Sequence, residues 1–396
     1  MVKPDSWSAI NRSCARDWSQ RRAMSDQTHI LLALQLKIGE IMHTLSEEFG
    51  QAVRNVSIHG VKRDRAITAH TEVRELLEAD TELSGWGIDT RLIGSYARQT
   101  ARYPGKDVDV FLRFNNLSVR HSPEKIYNAV ERVLAEEYGV KDEDEGGRLT
   151  RQARSLKIDF PATDDQPSDV SFSIDAVPAV PWETRWGIPN RDREKWDNDE
   201  GRWIKTDPVQ FADDTDALAT ASWSPTVGAV NAYRPIVRLL RQARHVHLGD
   251  QRPGGLFVEI AAYYVWNERL VTGTSWAQLL ASTFEHVATR LIDSAGEGLI
   301  DPVLGTTLEP ELDPGQWSSA GQTFKRLSND ANEALGAERC RAAKLWRDIL
   351  GTNDRGQILP LPDGCDAAGF PVGSITAVNA LGSDQPRGFA MLAPRR

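Results

Sequence analysis

RLIGSYARQT, residues 91–100, followed by KDVDVFLRF, residues 106–114, is the stretch of this 396-residue chain on which the reading of the fold turns. Thr90 to Ile93 has the make-up of a short strand, and Gly94 lets the backbone turn sharply after it. Ser95 then stands at the start of a short helix, where unpaired backbone N–H groups and its hydroxyl are suited to a phosphate. Eleven residues separate Ser95 from Asp107, the first residue of a longer strand that runs to Phe114. Side chains alternate along a strand, so Asp107 and Asp109 share one face while Val108 and Val110 point into a core. Two carboxylates so placed repel each other unless a cation lies between them, and hard oxygen donors suit Mg²⁺ or Mn²⁺. A two-metal site of this kind asks for a third carboxylate on a neighbouring strand. Asp159 in SLKIDFP and Asp175 in SFSIDAVPAV both lie in alternating segments, and periodicity leaves both open.

Outward from this stretch, Leu31, Leu34, Ile38, Ile41, Met42, Leu45 and Phe49 recur at helical spacing and predict one long helix from Thr28 ending at Gly50. A second helix is expected over residues 64–79, with Ile67, Val73, Leu76 and Leu77 on its buried face. Ser122-Pro123-Glu124 reads as a helix start, and that helix should stop at Gly139. Residues 155–160 and 170–177 read as strands joined by a Pro- and Asp-rich turn. From Pro178 to Trp223 five tryptophans (Trp182, Trp186, Trp196, Trp203 and Trp223) accompany Pro and Asp, a composition expected of a packed irregular connection. Helices follow at 231–247, 256–270, 276–294 and 322–350.

Composition narrows the class. With 47 basic and 56 acidic residues the net charge is −9, which opposes coating of nucleic acid by overall charge. No run of 18 apolar residues occurs, so no membrane helix is expected. Cys14, Cys340 and Cys365 lie far apart, form no CxxC pair and predict neither a zinc ribbon nor a disulfide framework. A cytoplasmic location fits that pattern. His245 and His247 are two apart on a helix, point in different directions and are not read as ligands. Residues 1–27 are expected to form a flexible extension.

Apolar residue, Gly-Ser, eleven residues, then Asp-apolar-Asp-apolar with a later strand Asp matches the signature of the polymerase-β-like nucleotidyltransferase superfamily. GSYARQT with KDVDVFLRF, then IDAVPAV, then NAYRPIVRLLRQAR and GGLFVEIAAYY resemble the bacterial cGAS/DncV-like nucleotidyltransferases (CD-NTases) of CBASS anti-phage defence. The resemblance covers about residues 60 to 350. It implies an α+β, bilobal fold: a mixed β-sheet catalytic lobe with its leading helices over 28–215, and a helical C-terminal lobe over 216–396 that closes on nucleotides. It implies template-independent synthesis of a cyclic di- or trinucleotide from nucleoside triphosphates, ATP among them, with pyrophosphate released. Two Mg²⁺ ions, replaceable by Mn²⁺, would sit on Asp107, Asp109 and Asp175, because in that family the Asp before Val-Pro-Ala is the third ligand. Gly94, Ser95 and, by motif position, Arg241 would hold the triphosphate. Gly254-Gly255 and Leu256 stand where many relatives carry a serine and a stacking aromatic. A regulatory protein and a product-activated effector are the implied partners; no Cys/His cluster could build a DNA-binding zinc thumb. The alternatives are an RNA or tRNA nucleotidyltransferase, or a non-catalytic regulatory protein with this fold.

Overall fold

The computed structural model describes residues 44–163, 170–308 and 310–373. The expected N-terminal extension and most of the helix predicted from Thr28 lie outside them. Helix α1 (Ser46–Asn55) runs through Gly50 instead of stopping there. The reason is tertiary: Phe49 and Ala52 on either side of the glycine are fully buried in the core of the helical lobe. Helices α2 (Val61–Ala79) and α3 (Thr81–Gly85) lead into strand β1 (Ile88–Ile93), a single turn α4 (Gly94–Ala97) and strand β2 (Asp107–Phe114). Helix α5 (Pro123–Tyr138) follows, then β3 (Leu149–Arg151), β4 (Leu156–Phe160) and β5 (Phe172–Trp182). Ile67, expected on the buried face of α2, is exposed; Ala66, Ala69, Val73 and Leu77 make that face.

The sheet order is β1-β2-β5-β4-β3, with β2 and β5 parallel and the other neighbours antiparallel. One face carries Val108, Val110, Leu112, Ile174 and Ala176, packed with residues of α2 and α5 into a single core. That burial holds the opposite face, with Asp107 and Asp109, toward the cleft, because a strand side chain can turn only one way or the other.

The tryptophan-rich stretch is not irregular throughout. β5 continues to Trp182 and pairs with β6 (Arg185–Pro189), which pairs with β7 (Trp203–Thr206). Trp196 and Trp203 are buried in the core of the sheet lobe, and the Trp203 ring stands where an aliphatic residue usually signals a strand. Helices α6 (Pro208–Thr220), α7 (Tyr233–Leu248), α8 (Gly255–Asn267), α9 (Trp276–Glu297), α10 (Pro314–Gly336) and α11 (Arg339–Leu350) build the second lobe. The single helix expected over 322–350 is two, broken at Ala337, where the chain turns extended. The cores do not follow one cut in the sequence, since α1 and residues Phe211, Leu218 and Ala219 of α6 pack with the helical lobe. Cys340 and Cys365 form a disulfide that the wide spacing did not suggest. Among the described residues no helix is long and apolar enough to cross a membrane.

Candidate active site

The register of three strands assembles the acidic centre. Asp109 is paired with Ile93 on one side and with Asp175 on the other, and Asp175 in turn faces Lys157 of β4. The two carboxylates therefore lie side by side on adjacent strands, about 4.8 Å apart in backbone spacing, on one face of the sheet. Asp107 aligns with Ser173, whose Oγ donates to Asp107 Oδ1 at 2.8 Å. Sheet order sets the two candidates Asp159 and Asp175 apart. β5 separates β4 from β2, so Asp159 stands one strand too far, and Lys141 Nζ donates to it at 2.8 Å.

Gly94 is needed where it stands. Its φ is 67°, and a Cβ added there would overlap Asp109 Oδ2. Any side chain would thus both strain the turn and displace the central carboxylate. The turn places Ser95 beside Asp109 at the floor of the cleft.

The electrostatics of the acidic pair are unusual. Burial, then the charge of Asp175, push Asp109 up to about 7 against the pull of Arg98. Burial, then the charge of Asp107, push Asp175 up to about 6. Asp175 Oδ1 is buried without a hydrogen-bond partner. An orphaned carboxylate oxygen beside a second half-buried carboxylate, in an all-oxygen donor set, fits a hard divalent cation. Among the described residues no three His, Cys, Asp or Glu side chains already converge on one point. Asp107 accepts from Ser173 and lies 4.0 Å from Lys157 Nζ.

Across the cleft lies a second charged cluster that the sequence reading did not name. Arg98 Nε donates to Glu259 Oε1 at 2.7 Å and its Nη2 to Oε2 at 3.2 Å, while Thr100 Oγ1 donates to Oε1 at 2.5 Å. Arg241 Nη1 donates to the Thr100 carbonyl at 2.9 Å and approaches Glu259 Oε2 at 3.4 Å. Burial pushes Glu259 up, but Arg98 and Arg241 outweigh it and hold the carboxyl below its ordinary range. Arg241 is thus no surface charge: it lines the cleft and is anchored from both lobes. The one signal in the sequence was Glu259 itself, a lone acid within the apolar run GLFVEIAAYYVW. Gly255 permits the approach of α8, since a Cβ there would lie 3.3 Å from the Arg241 guanidinium.

The cleft encloses about 610 Å³ between the sheet and the helical lobe, with Ser95, Asp109, Asp175, Arg241 and Leu256 on its walls. Of the tryptophans from 182 to 223, none lines it. A smaller cleft of about 510 Å³ opens on the other side of the same carboxylates, toward Lys106, Arg102 and His245. All six residues singled out from the motifs, namely Gly94, Ser95, Asp107, Asp109, Asp175 and Arg241, line one cleft or the other.

A mixed sheet thus aligns strand carboxylates beside a Gly-Ser turn, faced by a helical lobe across the cleft. No protein-family model matches the chain. A curated relative, the cyclic AMP-AMP-AMP synthase of Acinetobacter sp. (strain ATCC 27244 / 9458), is 23% identical over 334 residues, covering 79% of this chain and 86% of the relative. Among solved structures, E. coli MS115-1 CdnC with ATP aligns with a TM-score of 0.57 at 15% identity, over 78% of this chain and 98% of that one. The Bradyrhizobium diazoefficiens CD-NTase CdnG in complex with GTP aligns equally well, with a TM-score of 0.57 at 14% identity over 77% and 94% of the two chains. The likeness to these solved structures is one of fold: the chain has the fold of the CD-NTases.

Proposed function

We propose that this protein is a cyclic oligonucleotide synthase, joining nucleoside triphosphates without a template into a cyclic di- or trinucleotide and releasing pyrophosphate. The observation that carries the reading is the register of Asp109 with Asp175 beside the Gly94-Ser95 turn. Asp107, Asp109 and Asp175 would hold a pair of Mg²⁺ ions, with Mn²⁺ able to substitute. Such ions, when bound, neutralise the transferring phosphates and lower the pKa of an attacking ribose hydroxyl.

The chain's own residues do the rest. Ser95 and the backbone of α4 bind phosphate oxygens of the donor nucleotide, and Arg241 adds a fixed positive charge toward the same end. The Arg98–Glu259 pair keeps Arg241 in place rather than meeting substrate itself, since its hydrogen bonds are already spent within the cluster. Asp175, on the strand beside Asp109, is the carboxylate that would accept the hydroxyl proton. Positioning and charge neutralisation suffice, so no covalent intermediate is required.

The solved CdnC structure with ATP supports ATP among the substrates. CdnC has also been solved as a complex with HORMA-deltaN, which supports a regulatory protein partner for this chain. A product-activated effector, anti-phage signalling and a cytoplasmic location complete the proposal.

The test is incubation with the four labelled triphosphates and Mg²⁺ or Mn²⁺, with and without RNA. The expected result is a phosphatase-resistant product and pyrophosphate from triphosphates alone. Label incorporated only when RNA is present would identify an RNA nucleotidyltransferase instead, and nucleotide binding without turnover a regulatory protein.

A further inference from the structure

Leu256 and Ile260 are four positions apart on α8, so they share one face of that helix, and both line the cleft. Leu256 is 44% exposed, an aliphatic side chain laid open on the wall instead of packed behind it. Gly255, the residue before it, faces the Arg241 guanidinium. The segment between α9 and α10 extends the same wall with Asp301, Pro302 and Leu308. Beyond Arg241 and Glu259, Asp301 is the one charged residue that the helical lobe brings to the cleft among the described residues.

Asp301 is held firmly. Its N–H donates to the Thr306 carbonyl at 2.7 Å, and Gly305 N donates to the Asp301 carbonyl at 2.9 Å. Leu308 N donates to the Leu299 carbonyl at 2.8 Å, and both leucines are buried in the core of the helical lobe. Tyr264 Oη of α8 donates to the Ile300 carbonyl at 3.2 Å. The two carboxylate oxygens are unlike each other. Oδ1 accepts from the N–H groups of Val303 at 2.8 Å and Leu304 at 3.0 Å. Oδ2 has no hydrogen bond or ion pair among the described residues. The side chain cannot turn without giving up two backbone bonds, and one oxygen, which accepts and cannot donate, is left for a group in the cleft.

Resting on the synthase reading, we infer that Asp301 selects the base of the donor nucleotide, accepting through Oδ2 a hydrogen bond from the exocyclic amino group of adenine. With the triphosphate on Ser95 and Arg241, the base lies one ribose away, and the surface next to Arg241 is that of Leu256 and Ile260, an aliphatic platform for the flat face of a purine. Asp301 belongs to the same wall and so meets the rim of the base, where its hydrogen-bonding groups are. A lone acceptor discriminates by sign. Adenine offers an amino group at position 6; hypoxanthine and guanine offer a carbonyl oxygen there, and two acceptors repel. The adjacent N1–H and N2–H donors of guanine would need both carboxylate oxygens, and Oδ1 is already taken. A pyrimidine covers less of the platform.

The experiment is calorimetric titration of the full chain, with Mg²⁺, by the α,β-methylene analogues of ATP, ITP and GTP, which share their phosphates and differ only at the base. The unaltered protein should bind the adenine analogue at least about 10-fold more tightly than the hypoxanthine one. Asp301→Asn is the decisive variant. Its side-chain oxygen stays on the Val303 and Leu304 N–H groups, so its NH₂ takes the place of Oδ2 and turns the acceptor into a donor. The adenine analogue should then weaken by about 10-fold or more, and the hypoxanthine analogue should tighten until it binds at least as well. Because the two backbone bonds survive, the melting temperature without ligand should be unchanged, and inorganic tripolyphosphate should bind both proteins alike. An unmoved ratio of adenine to hypoxanthine analogue in Asp301→Asn, an equal loss for all three analogues, or a guanine analogue preferred by the unaltered protein would overturn the assignment. A switched preference in a protein yielding no product from triphosphates would sink the synthase reading and leave the base site standing; product formation with an unmoved ratio would do the reverse.

Discussion

On the sheet side of the cleft, Asp109 and Asp175 face each other with no ion pair among the described residues, and both are pushed up toward neutrality. On the helical side, Glu259 is more deeply buried still, at 0% exposure, yet is held below its ordinary range. Burial opposes ionisation in both places, so burial does not make the difference; the partners do. Glu259 receives two hydrogen bonds from Arg98 and one from Thr100, whereas the strongest charge acting on each of Asp109 and Asp175 is that of another acid. A self-neutralised cluster holds structure, and an uncompensated one is poised for a cation brought from outside. The first joins the Gly-Ser turn of one lobe to α7 and α8 of the other, and the second lines the cleft between them.

Removing charge should therefore act oppositely in the two clusters. Asp109→Asn and Asp175→Asn should each lower phosphodiester formation by about 1,000-fold or more, while the metal-free protein at neutral pH melts no lower than the unaltered one. A Tm drop of several degrees with activity retained would reverse the assignment. Glu259→Gln, nearly isosteric, should instead cost about 3–5 kcal/mol, because it leaves Arg98 buried without its counter-charge. Chemical denaturation measures this, and a loss under 1 kcal/mol would show that the two arginines find other partners.

A pH titration sharpens the contrast. Asp109 and Asp175, with folded values of about 7 and about 6, hold protons between pH 4 and 7 that the unfolded chain has already released. Stability from this pair is therefore present at low pH and lost as pH rises through that window. With EDTA, the Tm should fall as pH increases from 5 to 7.5 by more than in Asp109→Asn, and Mg²⁺ should restore it at the upper end. An identical slope in both proteins would mean that the pair does not titrate as described. The smallest effect belongs to Asp159→Asn. Its carboxylate meets Lys141 and Lys157 at a half-exposed edge, one strand beyond the site, so turnover should stay within a few-fold.

Local signals were legible where the chemistry is compressed into a short segment. The span of β2, the Gly94 turn and the shared face of Asp107 and Asp109 follow from the two-residue period of a strand and from the conformational freedom of glycine. The tryptophan-rich segment misled for a physical reason: Trp186 and Trp203 serve as strand residues, but their mixture with Pro and Asp has the composition of a loop. Ile67 misled in the same way, since an apolar residue at helical spacing faces the core only if another element covers it.

The sequence by itself determined which side chains could do metal-assisted phosphoryl transfer and in what order along the chain they occur, because motif spacing and strand period are local properties. Only the tertiary structure put Asp175 rather than Asp159 beside Asp109, since sheet order is not written in the alternation of either strand. It alone brought Arg98 to Glu259 across 161 positions, set Asp301 on the same cleft wall as Leu256 and joined Cys340 to Cys365. Those pairings depend on how two cores close against each other. No periodicity reports that, because the energy that selects such contacts arises between segments distant in sequence and not within any one of them.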